Sequence, residues 1–188
     1  MIGVLALQGD FEKHKIILDK IGVNSLYVKS ALDLARTDAL IIPGGESSSF
    51  SRLMDTFSIR KAISNYSKSH SIFGTCAGMI MLSSSQSTYQ VKTLNVMDFS
   101  VTRNSWGSQK YSFEEKLDFK NFGLGTLNAV FIRAPKVLRF GKGIKRIEYY
   151  KNEPILLEDD MHLACSFHPE IEDDLKLHKY FLRKCHYE

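Results

Sequence analysis

Short apolar runs that stop abruptly at glycine or proline set the tightest limit on what this chain can fold into. Residues 2–7 (IGVLAL) end at Gln8-Gly9-Asp10, Ala39–Ile42 ends at Pro43-Gly44-Gly45, and residues 71–74 (SIFG) run into Thr75-Cys76. Runs this short, closed by turn residues, read as buried strands. Between them the period changes. Phe11–Ile21 carries apolar residues at Phe11, Ile16, Ile17, Leu18 and Ile21 and is stopped by Gly22, which predicts a helix. Ser25–Val28 reads as a second strand, and residues 31–35 as a brief helical piece holding Leu32 and Leu34. Residues 51–66 have helical spacing at Leu53, Met54, Phe57, Ala62 and Ile63, and Ala77–Leu82 opens another helix. Strand and helix in alternation predict an α/β fold, a mostly parallel central sheet flanked by helices on both faces.

The second half changes character. Alternation and turn residues over 91–101 and 125–134 predict strands joined by longer loops. Residues 144–150, 154–158 and 162–167 continue the strand series. Residues 174–185 close as a helix with Leu175, Leu177, Tyr180, Phe181 and Leu182 as its apolar positions. No repeat, low-complexity tract or linker interrupts the chain, so residues 1–188 are expected to form a single domain.

A net charge of +4, with no dense Lys/Arg run interleaved with aromatics, argues against a nucleic-acid partner. The first residues lack the basic segment of a signal peptide, and no apolar stretch approaches the ~18 residues of a membrane span. A cytoplasmic protein with no membrane partner is expected. The three cysteines, Cys76, Cys165 and Cys185, do not make a disulfide framework. His14, His70, His162, His178 and His186 lack metal-ligand spacing with the cysteines or with one another, so they read as surface or core histidines and no metal is expected. Gly123-Leu124-Gly125 and Gly141-Lys142-Gly143 lack the strand–helix context of a nucleotide loop and read as turns, so no cofactor is implied.

Chemistry concentrates at Gly74-Thr75-Cys76-Ala77-Gly78, with strand before it and helix after it. This is the G-x-nucleophile-x-G elbow with cysteine in place of serine. Small neighbours let backbone pass close to a strained turn, and a sulfur at a helix N-terminus is favoured as thiolate. A small buried cysteine satisfies the same string, so the motif alone does not decide. Ser166-Phe167-His168-Pro169-Glu170 supplies what a thiol needs: in extended chain His168 and Glu170 share a side, a base beside its orienter. Pro43-Gly44-Gly45-Glu46-Ser47 follows a strand, and paired glycines there can aim backbone N–H groups into a site. Arg103 and Arg133 suit carboxylate recognition, although most arginines are simply solvated.

These segments resemble the class I glutamine amidotransferases, and more narrowly the glutaminase subunits of pyridoxal 5′-phosphate synthase. The matching strings are IGVLALQG at 2–9, PGGESS at 43–48, FGTCAG at 73–78, LNV at 94–96, RNS at 103–105, SFE at 112–114, VFIRAP at 130–135 and CSFHPE at 165–170. Departures are Ser48-Ser49, where members often carry two threonines, and a polar stretch over 83–93. The resemblance implies a flavodoxin-like three-layer fold and a triad of Cys76, His168 and Glu170. It implies a glutamine site lined by Gly45, Glu46 and Ser47, with Arg103, Ile132 and Arg133 at the substrate's amino-acid end. Backbone N–H groups of Gly45 and Ala77 would form the oxyanion hole, and Gln8 would lie near it and near a partner. That partner is a separate synthase subunit receiving ammonia, in a hetero-oligomer. Three alternatives stay open: a glutaminase of another class I branch such as histidine biosynthesis, a cysteine hydrolase of a different amide, and a non-catalytic binding module.

Overall fold

The computed structural model describes residues 1–86, 91–103 and 112–187. The first half alternates as expected: β1 (Ile2–Leu5), α1 (Phe11–Ile21), β2 (Ser25–Val28), α2 (Ala31–Leu34), β3 (Ala39–Ile42), α3 (Ser47–Thr56), α4 (Arg60–Tyr66), β4 (Ser71–Thr75) and α5 (Ala77–Leu82). Then come β5 (Ser83–Gln86), β6 (Met97–Thr102), β7 (Ser112–Asp118), β8 (Thr126–Ile132), β9 (Lys136–Phe140), β10 (Arg146–Tyr150), β11 (Glu153–Glu158), β12 (Leu163–Cys165) and α6 (Lys176–Lys184).

The central sheet has seven strands in the order β10-β11-β12-β4-β3-β1-β2. Pairing is parallel from β2 to β12 and antiparallel where β11 and β10 extend the edge. The parallel part therefore has the flavodoxin-like order, in which ligands bind beyond the carboxyl ends of the strands near the point where the order reverses. Side chains alternate across it. Leu40 and Ile42 of β3 join a core with Phe50, Met54, Ile63 and Met79 from α3, α4 and α5. Ala39 and Ile41 face the other way, toward Leu18 of α1 and Phe181 and Leu182 of α6. Helices cover both faces because both strand faces are apolar. The β7–β8 hairpin adds Phe131 and Leu127 to the second core, and β5, β6 and β9 form a separate three-stranded sheet.

One helix differs from its sequence expectation. Residues 51–66 are not one helix but two, and the first begins at Ser47. The break is a Schellman turn: Ser58 takes φ 53, Ile59 N–H reaches Met54 C=O at 3.0 Å and Ser58 N–H reaches Asp55 C=O at 3.0 Å. Ile59 is thereby fully buried in the core. The early start is set by Glu46, whose carboxylate accepts the N–H groups of Ser48 and Ser49 at 3.1 and 2.7 Å. Strands β5, β7 and β9 also lie outside the predicted strand segments. Among the described residues, no helix is long and apolar enough to cross a membrane.

Candidate active site

Cys76 sits between β4 and α5 with φ 48 and ψ −102. An L-residue seldom holds that backbone, and it persists where surrounding packing over-determines it. The flanking glycines show the packing. A Cβ on Gly78 would lie 2.0 Å from the Ile42 carbonyl oxygen, and one on Gly74 would lie 2.6 Å from Gly78 backbone. The elbow therefore closes only with glycine at both places. Cys76 N–H donates to the Cys165 carbonyl at 2.8 Å, tying the turn to β12. The thiol is 3.7 Å from the Ile132 carbonyl, and the residue is only 5% exposed.

His168 follows β12 and is fixed by its N–H to Val130 C=O at 2.8 Å. Its Nδ1 lies 2.7 Å from Glu170 Oε1. An ionised carboxylate only accepts, so Nδ1 carries the hydrogen and Nε2 is left for the thiol. Burial is the largest influence on this ring and favours its neutral form. Side-chain hydrogen bonds to Cys76 and Glu170, and their charges, outweigh it and push His168 up to about 10. Gly44 borders the ring so closely that a Cβ there would be 2.3 Å from Cε1.

Thiol and imidazole open onto a cleft of about 170 Å³. The substrate residues expected from sequence, Gly45, Glu46, Ser47, Arg103, Ile132 and Arg133, all line it. Their states differ. Glu46 caps α3 and meets Arg103 Nη2 at 3.1 Å. Burial acts to raise its carboxyl, but the bonds from Ser48 and Ser49 bring it down to about 2. Ser47 Oγ is buried with no hydrogen-bond partner among the described residues. Exposed Arg133 stands on a left-handed backbone, φ 44, just after β8. Ala77 and Gln8 do not line the cleft. Ala77 is the first residue of α5, and Gln8 clamps Glu46, donating to its carbonyl at 3.0 Å and accepting its N–H at 3.3 Å. Asn104 and Ser105 lie outside the described residues.

Sequence reasoning missed Asp10, which lines the cleft 3.9 Å from His168 Nδ1. It followed a turn signal, and only the register of β1 against β3 brings it here. Asp10, His168 and Glu170 have ligand atoms within 4.8 Å of one another, but His168 Nδ1 already serves Glu170. His14 and His178, which the sequence leaves as surface or core histidines, are core, each 0% exposed. The signal was helical spacing: Ile17 and Leu18 follow His14 by three and four residues, as Phe181 and Leu182 follow His178.

A family model, the SNO glutamine amidotransferase family, matches residues 4–187. A pyridoxal 5′-phosphate synthase subunit PdxT from Thermosipho africanus is 42% identical over 182 residues, covering 96% of each chain. The protein of the same name from Pseudothermotoga lettingae is 43% identical over 183 residues, 96% of this chain and 93% of its own. A solved structure of a glutamine amidotransferase is 39% identical and superposes with a TM-score of 0.93 over 98% of both chains.

Proposed function

This chain belongs to the SNO glutamine amidotransferase family, and from that premise we propose that it is the glutaminase subunit of a pyridoxal 5′-phosphate synthase, acting through Cys76, His168 and Glu170. The observation that carries the triad is the 2.7 Å contact from Glu170 to His168 Nδ1, which leaves Nε2 for a thiol held on a strained elbow.

Cys76 gives its proton to His168, and Glu170 holds the resulting imidazolium. The thiolate attacks the side-chain carboxamide carbon of glutamine. N–H groups of Ala77 and Gly45 receive the oxyanion, each such donor being worth on the order of 3 kcal/mol. As the C–N bond breaks, His168 returns the proton to the leaving nitrogen and ammonia departs. Water, deprotonated by His168, then hydrolyses the γ-glutamyl thioester to glutamate. Arg103 and Arg133, with the Ser47 hydroxyl that has no partner among the described residues, bind the amino-acid end of the substrate. The chain's three free cysteines suit a reducing cytoplasm.

Ammonia is consumed by a synthase subunit in a hetero-oligomer, and docking of that subunit switches the glutaminase on. The Gly44 carbonyl accepts Asp10 N–H at 3.2 Å, and Gly45 has φ 149. Turning the Gly44–Gly45 peptide over gives up this bond and reverses the Gly45 N–H. Gln8, clamped to Glu46, links the end of β1 to that peptide. Since one oxyanion donor is worth about 10²–10³ in rate, such a flip is a strong switch. Steady-state glutamine hydrolysis at saturating substrate should rise with added synthase subunit. A flat response despite complex formation removes the switch and leaves the triad standing.

A further inference from the structure

Two histidines with no exposure to water adjoin the triad. His14 Nδ1 of α1 lies 2.8 Å from His178 Nε2 of α6. His14 Nε2 lies 3.5 Å from Glu170 Oε2 and 3.3 Å from Thr75 Oγ1, in the residue before Cys76. Glu170 Oε2 is buried and has no hydrogen-bond partner among the described residues. His14 Nε2 thus lies between the Thr75 hydroxyl, its hydrogen-bond partner, and the carboxylate oxygen that His168 does not use.

The tautomers follow from counting donors. A carboxylate only accepts, so the hydrogen sits on His14 Nε2 and leaves Nδ1 as an acceptor. His178 Nε2 must then donate, which makes His178 Nδ1 a bare lone pair, and that atom is buried with no partner among the described residues. In the opposite assignment the Thr75 hydroxyl could serve the Nε2 lone pair, but that lone pair still faces a carboxylate oxygen and His178 Nδ1 becomes a buried N–H with no partner among the described residues, the more costly arrangement. Burial first, then the charges of His178 and His168, holds His14 well below the usual histidine range, and burial brings His178 down to about 3. Both rings stay neutral, as the relay requires.

We propose that His14 is a positioning residue for the glutaminase: its Nε2–H steadies Glu170 Oε2 so that Oε1 faces His168, and His178 selects the His14 tautomer that can do so. At 3.5 Å the contact is long for a hydrogen bond, and contacts of this kind commonly tighten when substrate binds. The proposal rests on the Cys76–His168–Glu170 reading.

Glutamine hydrolysis by the assembled complex with the synthase subunit tests it, on variants checked for native folding by circular dichroism. His14→Leu should lower kcat about 10- to 100-fold, the scale seen when a metal ligand loses its outer hydrogen-bond partner, with KM for glutamine nearly unchanged. His14→Gln, which offers an amide N–H near the Nε2 position, should recover most of that loss. His178→Leu should lower kcat alone but add nothing in a His14→Gln background, because an amide has no tautomer to select. A folded His14→Leu enzyme with ordinary kcat, or equal losses in His14→Leu and His14→Gln, overturns the proposal. Should His14→Leu not fold, the same kcat loss from His178→Leu in both backgrounds overturns it. Cys76→Ala separates the two claims: if it is inactive while His14→Leu is fully active, only the positioning role falls. If Cys76→Ala turns over normally, the triad reading falls and takes the proposal with it.

Discussion

Strands β4 and β12 run side by side, and cysteines stand at both of their carboxyl ends. Cys165 pairs with Thr75 in register, and its carbonyl takes the Cys76 N–H at 2.8 Å. Both side chains are buried, 5% exposed for Cys76 and 0% for Cys165. Their surroundings diverge within one residue. Cys76 leaves the strand into a left-handed turn beside His168. Cys165 stays in the strand and gives its S–H to the Phe167 carbonyl at 3.3 Å. Burial first, then the charges of Glu170 and Cys76, pushes the Cys165 thiol well above the usual range, so it remains a thiol. Burial is common to both; the turn and the neighbouring imidazole are what single out Cys76 as the proposed nucleophile.

The comparison is easiest to break at its reactive end. Cys76→Ala should lower glutamine hydrolysis by about 10⁴-fold or more with the fold retained, since nothing else can form the thioester. Ammonia release at the ordinary rate would end the assignment.

Glu170→Gln should fall less far, by about one to two orders of magnitude less than Cys76→Ala, because the base survives while its orienter weakens. It should also move a titration. His168 is raised from its ordinary 6.5 to about 10. Its paired, protonated form therefore contributes stability fully below about 6.5, and that contribution is lost as pH rises through about 10. Removing the Glu170 charge takes away part of what raises the ring, so the NMR titration of His168 should shift to lower pH. An unmoved titration would show that Glu170 does not hold the imidazolium.

The smallest effect is expected at the quiet cysteine. Cys165→Ala should keep kcat and KM within about twofold, at a stability loss of about 1 kcal/mol for a small cavity. Thermal unfolding and steady-state kinetics on one preparation check both halves. A large loss of kcat with little loss of stability would mean that Cys165 takes part in the chemistry.

What the sequence disclosed follows how far apart the determinants lie. Helix α1 was legible to its ends because Gly22 supplies the left-handed stop, φ 84, that glycine advertises. The same stop after α3 is made by Ser58, which nothing local marks, so α3 and α4 read as one helix. The start of α3 was hidden because its cap is a glutamate rather than one of the usual short polar residues. Strand β7 escaped because its pairing with β8 across a turn, not its own pattern, makes it a strand. The proposed triad comes from short contiguous strings with a family likeness, and of its parts the structure sets Glu170 Oε1 2.7 Å from His168 Nδ1. His14 and His178, 164 residues apart, meet only after α1 and α6 pack on one face of the sheet, and no string joins them.

The most direct measurement is of the covalent intermediate. The complex with its synthase subunit is mixed with glutamine, quenched in acid during turnover and mapped by peptide mass spectrometry. A γ-glutamyl adduct on the peptide containing Cys76, absent from the Cys165 peptide and absent throughout in Cys76→Ala, is the expected result. An adduct on Cys165, or an enzyme that turns over steadily in Cys76→Ala, would contradict the central claim.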